Sequence, residues 1–97
     1  MNHHFRNCGP GFFPAAVLKP PNPPIKPTIE SMTKLIQHWV YLWSFFGYTG
    51  WIFILRVGVE QNPDTKKLEP AIWGCNPDIG NIFFIFLKDI TNYKASY

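Results

Sequence analysis

His3, His4 and Cys8 are the densest group of potential metal ligands in the 97-residue chain. A structural zinc site needs four ligands held by a fold. Three ligands in a segment broken by glycine and proline do not meet that need, so they are read as part of a tail without fixed geometry. The other cysteine is Cys75, and neither cysteine belongs to a CxxC pair. His38, alone before an apolar stretch, is a haem ligand in principle but is read as an interfacial histidine bonding to headgroups or water. Asp64, Asp78 and Asp89 show no pairing suited to acid–base work. Gly-rich phosphate loops, nucleophile elbows and nucleic-acid modules do not occur. The chain is therefore expected to be no enzyme, to hold no cofactor or metal, and to bind neither nucleic acid nor a small-molecule substrate.

The elements around these residues point to location more than to chemistry. Ninety-seven residues allow one small domain, and the ten prolines leave few residues for a second packing layer. The formal charge of +3 fits a weak preference for an anionic membrane surface. Between Leu35 and Leu55 the run LIQHWVYLWSFFGYTGWIFIL contains no Asp, Glu, Lys or Arg. As a helix it would be roughly 31 Å long, close to the hydrocarbon thickness of a bilayer. Trp39, Tyr41 and Trp43 near one end, Trp51 near the other, and Arg56 just beyond are placed as membrane-interface residues. Ser44, Gly47 and Gly50 recur every third residue and suggest a stripe that packs on a neighbouring helix. Thr28 or Ser31 would cap the start, with Glu30 at the positive end of the helix. Gly58, then Asn62, Pro63 and Asp64, would stop it by about Gln61.

The expected fold is thus all-α and membrane-bound. It has an extended Pro-rich tail over residues 1–28, a single transmembrane helix with short extensions over 29–61, and an irregular docking tail over 62–97. LKPPNPPIKP is expected to be polyproline II lying on a partner or serving as a linker. IFFIFL, from Ile82 to Leu87, is too short to span; as a strand or short helix it exposes aromatic surface that needs a partner to cover it. With Cys8 and Cys75 on opposite sides of a membrane, no disulfide within the chain is expected. No cleavable secretory signal or mitochondrial presequence is recognised, so the span would act as the internal targeting signal. Basic residues on the two sides balance, and the N-terminus is placed on the matrix or cytoplasmic side.

One resemblance bears on function. ILRVGVEQNPDTKKLEPAIW resembles the helix exit of the VIIb subunit of cytochrome c oxidase, a Val-Gly-Ile-Glu-x-Asn run followed by a tail ending Pro-x-x-Trp. The matching residues are Val57, Gly58, Val59, Glu60 and Asn62, then Pro70 and Trp73. A similar exit and a similar Pro-rich lead-in occur in small accessory subunits of respiratory complex I. The resemblance implies a non-catalytic supernumerary subunit of a respiratory-chain complex in the mitochondrial inner membrane, a single-pass component supporting assembly. Its partners would be lipid and larger membrane subunits, with Val57, Gly58, Glu60, Asn62, Pro70, Trp73, Phe83, Phe84 and Phe86 in the docking tail. An accessory subunit of a transport complex, ATP synthase or a protein translocase, is the alternative.

Overall fold

A computed structural model describes residue 15 and residues 19–45, 48–76 and 81–96. A short helix, α1 (Ile29–Thr33), is followed by strands β1 (Trp39–Ser44), β2 (Thr49–Gln61), β3 (Leu68–Cys75) and β4 (Ile82–Phe86), a single 3₁₀ turn (Leu87–Asp89), and β5 (Ile90–Ala95). The strands form one antiparallel sheet in the order β4-β3-β2-β1-β5. Among the described residues no helix is long and apolar enough to cross a membrane. The all-α, single-pass fold is therefore corrected to a small β-sheet domain. The inner-membrane location, and the orientation placing the N-terminus on the matrix side, rested on that helix and fall with it. The stretch 62–97, expected to be irregular, supplies three of the five strands.

The physical reason lies in the two faces of the sheet. WVYLW and WIFIL are rich in aromatic and β-branched residues, which suit a pleated surface. Along β1 the side chains alternate between two apolar environments. Val40 and Leu42 enter an inner core with Ile52, Ile54, Ile72, Leu87 and Ile90, closed from above by Met32 and Leu35. Trp39 and Tyr41 face outward and pack with Trp51 and Cys75. A strand buried on both faces shows no polar alternation, so its sequence reads like a membrane span. SFFGYTG, read as the packing stripe of a helix, falls at the β1–β2 connection: Ser44 ends β1, Thr49 begins β2, and Gly50 pairs with Leu42.

The cap at the start of α1 follows the sequence. The Thr28 hydroxyl accepts from the Ser31 amide at 3.0 Å, and the Ser31 hydroxyl accepts from the Thr28 amide at 2.9 Å. The helix ends within two turns because its role is local: it seats Met32, fully buried, over the inner core.

The sheet must also roll. Four strand spacings would hold β4 and β5 about 19 Å apart if it were flat. A three-residue 3₁₀ turn at about 2 Å per residue spans only some 6 Å. The roll is supplied by bulges at Leu55 of β2, between Ile54 and Arg56, and at Thr91 of β5, opposite Trp43 and Ser44, since a bulge bends the strand that carries it. Gly74 lies on the tight inner side. A Cβ there would stand 2.5 Å from both the Phe53 carbonyl oxygen and Ile52 Cγ1, so no larger residue fits without moving β2.

Candidate functional site

The outward side chains form one aromatic row across the sheet, and its two halves differ. On β1 and the start of β2 the rings pack closely: Trp39 lies 5.3 Å from Phe53 and Tyr41 5.1 Å from Trp51, centroid to centroid. Trp39, Tyr41 and Trp51 are buried. The Trp51 indole donates to the Ala15 carbonyl at 3.0 Å, so the backbone at Ala15 reaches this half of the row. These aromatics, expected at a membrane interface, are the interior of a protein layer. Cys75 sits in the same cluster and is disulfide-bonded, which corrects the expectation that no disulfide would form. Cys8 lies outside the described residues, as do His3, His4 and Gly47.

On β3 and β4 the row continues in the open. The bulge in β2 turns Arg56 outward opposite Trp73, and its guanidinium carbon stands 3.7 Å from the indole centroid, a cation–π stack. Phe84 pairs with Trp73 across the ladder, 5.8 Å between rings, and Phe86 follows 5.3 Å further on. Phe84 is 42% exposed and Ile82 57%.

The two edges of the sheet differ in the same sense. At β5 the Pro-rich segment runs alongside. Asn92 accepts from the Ile25 amide at 2.8 Å and donates to the Pro21 carbonyl at 3.0 Å, and the Tyr93 amide donates to the Ile25 carbonyl at 3.1 Å. The segment expected to lie on a partner or to serve as a linker runs instead along the β5 edge of its own chain. At β4 no described residue pairs with the outer side of the strand. A cavity of about 330 Å³ opens there, lined by Ser44, Tyr48, Phe83, Ile85 and Asp89 with the flanks of Phe84 and Phe86. The Ser44 hydroxyl donates to the Tyr48 carbonyl and the Tyr48 hydroxyl to the Trp51 carbonyl, so both hydroxyls are engaged. The Asp89 carboxylate makes no hydrogen bond or ion pair with a described residue, although its backbone carbonyl accepts from the Phe45 amide.

The tail residues of the sequence reading are divided by this geometry. Val57, Gly58, Glu60, Asn62, Pro70 and Trp73 belong to the β2–β3 hairpin and its turn. Val57 packs on the inner core, and Gly58 pairs with Ala71. Asn62 shapes the turn by accepting from the Asp64 amide, and it also donates to Glu69 at 2.8 Å. The hydrogen bond from Asn62, then those from Lys88 and Thr65, hold the Glu69 carboxyl below the ordinary glutamate range. Lys88, in the 3₁₀ turn, is 3.1 Å from Glu69, tying the turn end of the hairpin to the link between the two edges. Phe83 faces inward, whereas Phe84 and Phe86 face outward.

Sequence reasoning passed over Tyr48 and Asn92, and set Asp89 aside for want of a paired carboxylate. Only the apolar run at 82–87 signalled the region. Among the described residues no group of three His, Cys, Asp or Glu could hold a metal ion. No family model, curated protein or solved structure is similar to this chain.

Proposed function

We propose that this chain is a non-catalytic docking module, joined to a larger protein through the β4 side of its sheet. The observation that carries the reading is the contrast between the edges. β4 is Ile-Phe-Phe-Ile-Phe, without charge or proline, and among the described residues nothing covers its outer side, whereas β5 is sheathed by its own chain. Natural edge strands carry charges, prolines or a cover that block unwanted pairing. A bare apolar edge is the arrangement that strand addition by a partner requires. The respiratory-complex and transport-complex identities implied by the sequence fall within this reading as particular partners. The disulfide at Cys75 fits a working place that is not strongly reducing.

The test is purification of the tagged chain from its native cells, with native-gel separation and mass spectrometry of the band containing it. Wild type is expected to run with a stoichiometric partner. Ile82→Lys is expected to release that partner while changing stability by less than about 0.5 kcal/mol, as for other exposed positions. Wild type and variant both running as a free small species would remove the docking reading.

A further inference from the structure

The β4 edge also indicates what kind of segment it accepts. An unpaired strand edge offers alternating amide and carbonyl groups, and only an extended chain satisfies them in series. A segment added beside β4 would send alternate side chains to opposite faces of the sheet. Those on the outer face would extend the open row of Ile82, Phe84 and Phe86. Those on the inner face would enter the cavity of about 330 Å³ beside Tyr48, Phe83 and Ile85. At its rim stands Asp89, a carboxylate without a partner among the described residues. A carboxylate against an apolar wall is satisfied best by a cation whose stem is itself apolar, and lysine and arginine have that shape.

From this geometry we infer that the outer edge of β4, unpaired among the described residues, accepts an extended peptide whose inward side chain is lysine or arginine, with the cation on Asp89. The inference rests on the docking reading above and names its partner chemistry. A second copy of β4 is a poorer match, since its inward residues are Phe83 and Ile85 and neither brings a positive charge to Asp89. A nucleic acid is poorer still, because among the described residues Asp89 is the one charged residue lining the cavity and its charge is negative. Backbone pairing supplies affinity without sequence preference; the Asp89 contact supplies the selection.

The test uses the full chain, labelled with ¹⁵N, and three seven-residue peptides of alternating valine and threonine whose central residue is lysine, norleucine or glutamate. The lysine peptide is expected to bind at least tenfold more tightly than the norleucine peptide and to shift the amides of β4. The glutamate peptide is expected to bind more weakly than both. In Asp89→Asn the lysine advantage is expected to shrink to about twofold or less, with the norleucine affinity unchanged. Equal binding of the lysine and norleucine peptides would overturn the role of Asp89 and leave edge docking standing. No peptide shifting β4 would overturn edge docking by such segments. Concentration-dependent pairing of the chain with itself through β4, excluding every peptide, would make a second copy the occupant and overturn the basic-peptide proposal.

Discussion

The two edges of this sheet meet the same physical demand in opposite ways. Each leaves a row of backbone donors and acceptors open on its outer side. At β5 the chain satisfies them itself: residues 21–25 lie along the strand, and Asn92, buried, bonds to the backbone of Pro21 and Ile25. At β4 nothing among the described residues does so, and the side chains there are as apolar as those of the core. The difference separates folding from function. On the docking reading proposed above, the covered edge belongs to the stability of the domain and the β4 edge to its association with a partner.

The comparison breaks most completely if the roll of the sheet is lost, because the roll is what allows one 3₁₀ turn to join the two edges. Gly74→Val places its branched side chain against the Phe53 carbonyl and Ile52. Urea unfolding is expected to show a loss of about 3 kcal/mol, near the upper end for overpacking. A loss below about 1 kcal/mol would mean that β2 yields easily and the curvature has another source.

Asn92→Ala uncovers the β5 edge alone. It leaves the Ile25 amide and the Pro21 carbonyl without their partner, and a loss of about 2 kcal/mol is expected. Amide exchange should quicken at Ile25, while the inner-core amides of β2 keep their order of protection. This variant and Ile82→Lys are mirror images: one lowers stability and spares partner binding, the other spares stability and releases the partner.

The smallest effect concerns the link between the edges. The Glu69 carboxyl is held below the ordinary range by Asn62 first, then Lys88 and Thr65. A depressed folded-state value stabilises the domain above the pH at which an unfolded glutamate titrates, about 4.3, and that contribution is lost as pH falls through the folded value. Glu69→Gln is therefore expected to flatten the acid side of a thermal-stability profile below about pH 4.3 and to alter its slope little near pH 7. An unchanged acid limb would show that the tie to Lys88 contributes nothing measurable, as is common for ion pairs at a surface.

Parts of this arrangement are legible in the sequence because their signals are local. Thr28 and Ser31 announce the helix cap, Asn62-Pro63-Asp64 announce a turn, and the uncharged apolar run from Ile82 to Leu87 announces a segment that seeks cover. The sheet itself is not legible in this way. In Leu35 to Leu55 both faces of each strand are apolar, since Val40 and Leu42 enter one core and Trp39 and Tyr41 another. The period of two is thereby erased, and the absence of charge satisfies the criteria for a membrane helix equally well. Ser44 and Gly50 lie near the facing ends of two strands, but glycine between apolar runs has the same composition as a small-residue stripe. The contrast between the edges depends on strand order and on contacts such as Ile25 with Asn92, 67 positions apart, which no local pattern encodes.

Hydrogen exchange, comparing the isolated chain with the complex recovered from native cells, tests the central claim most directly. The outward amides of β4 are expected to exchange rapidly in the isolated chain and at least tenfold more slowly in the complex, while Ile25 and Tyr93 are protected equally in both. Protection gained elsewhere with β4 unchanged, or β4 amides already as slow as those of β5 in the isolated chain, would contradict the assignment of β4 as the docking edge.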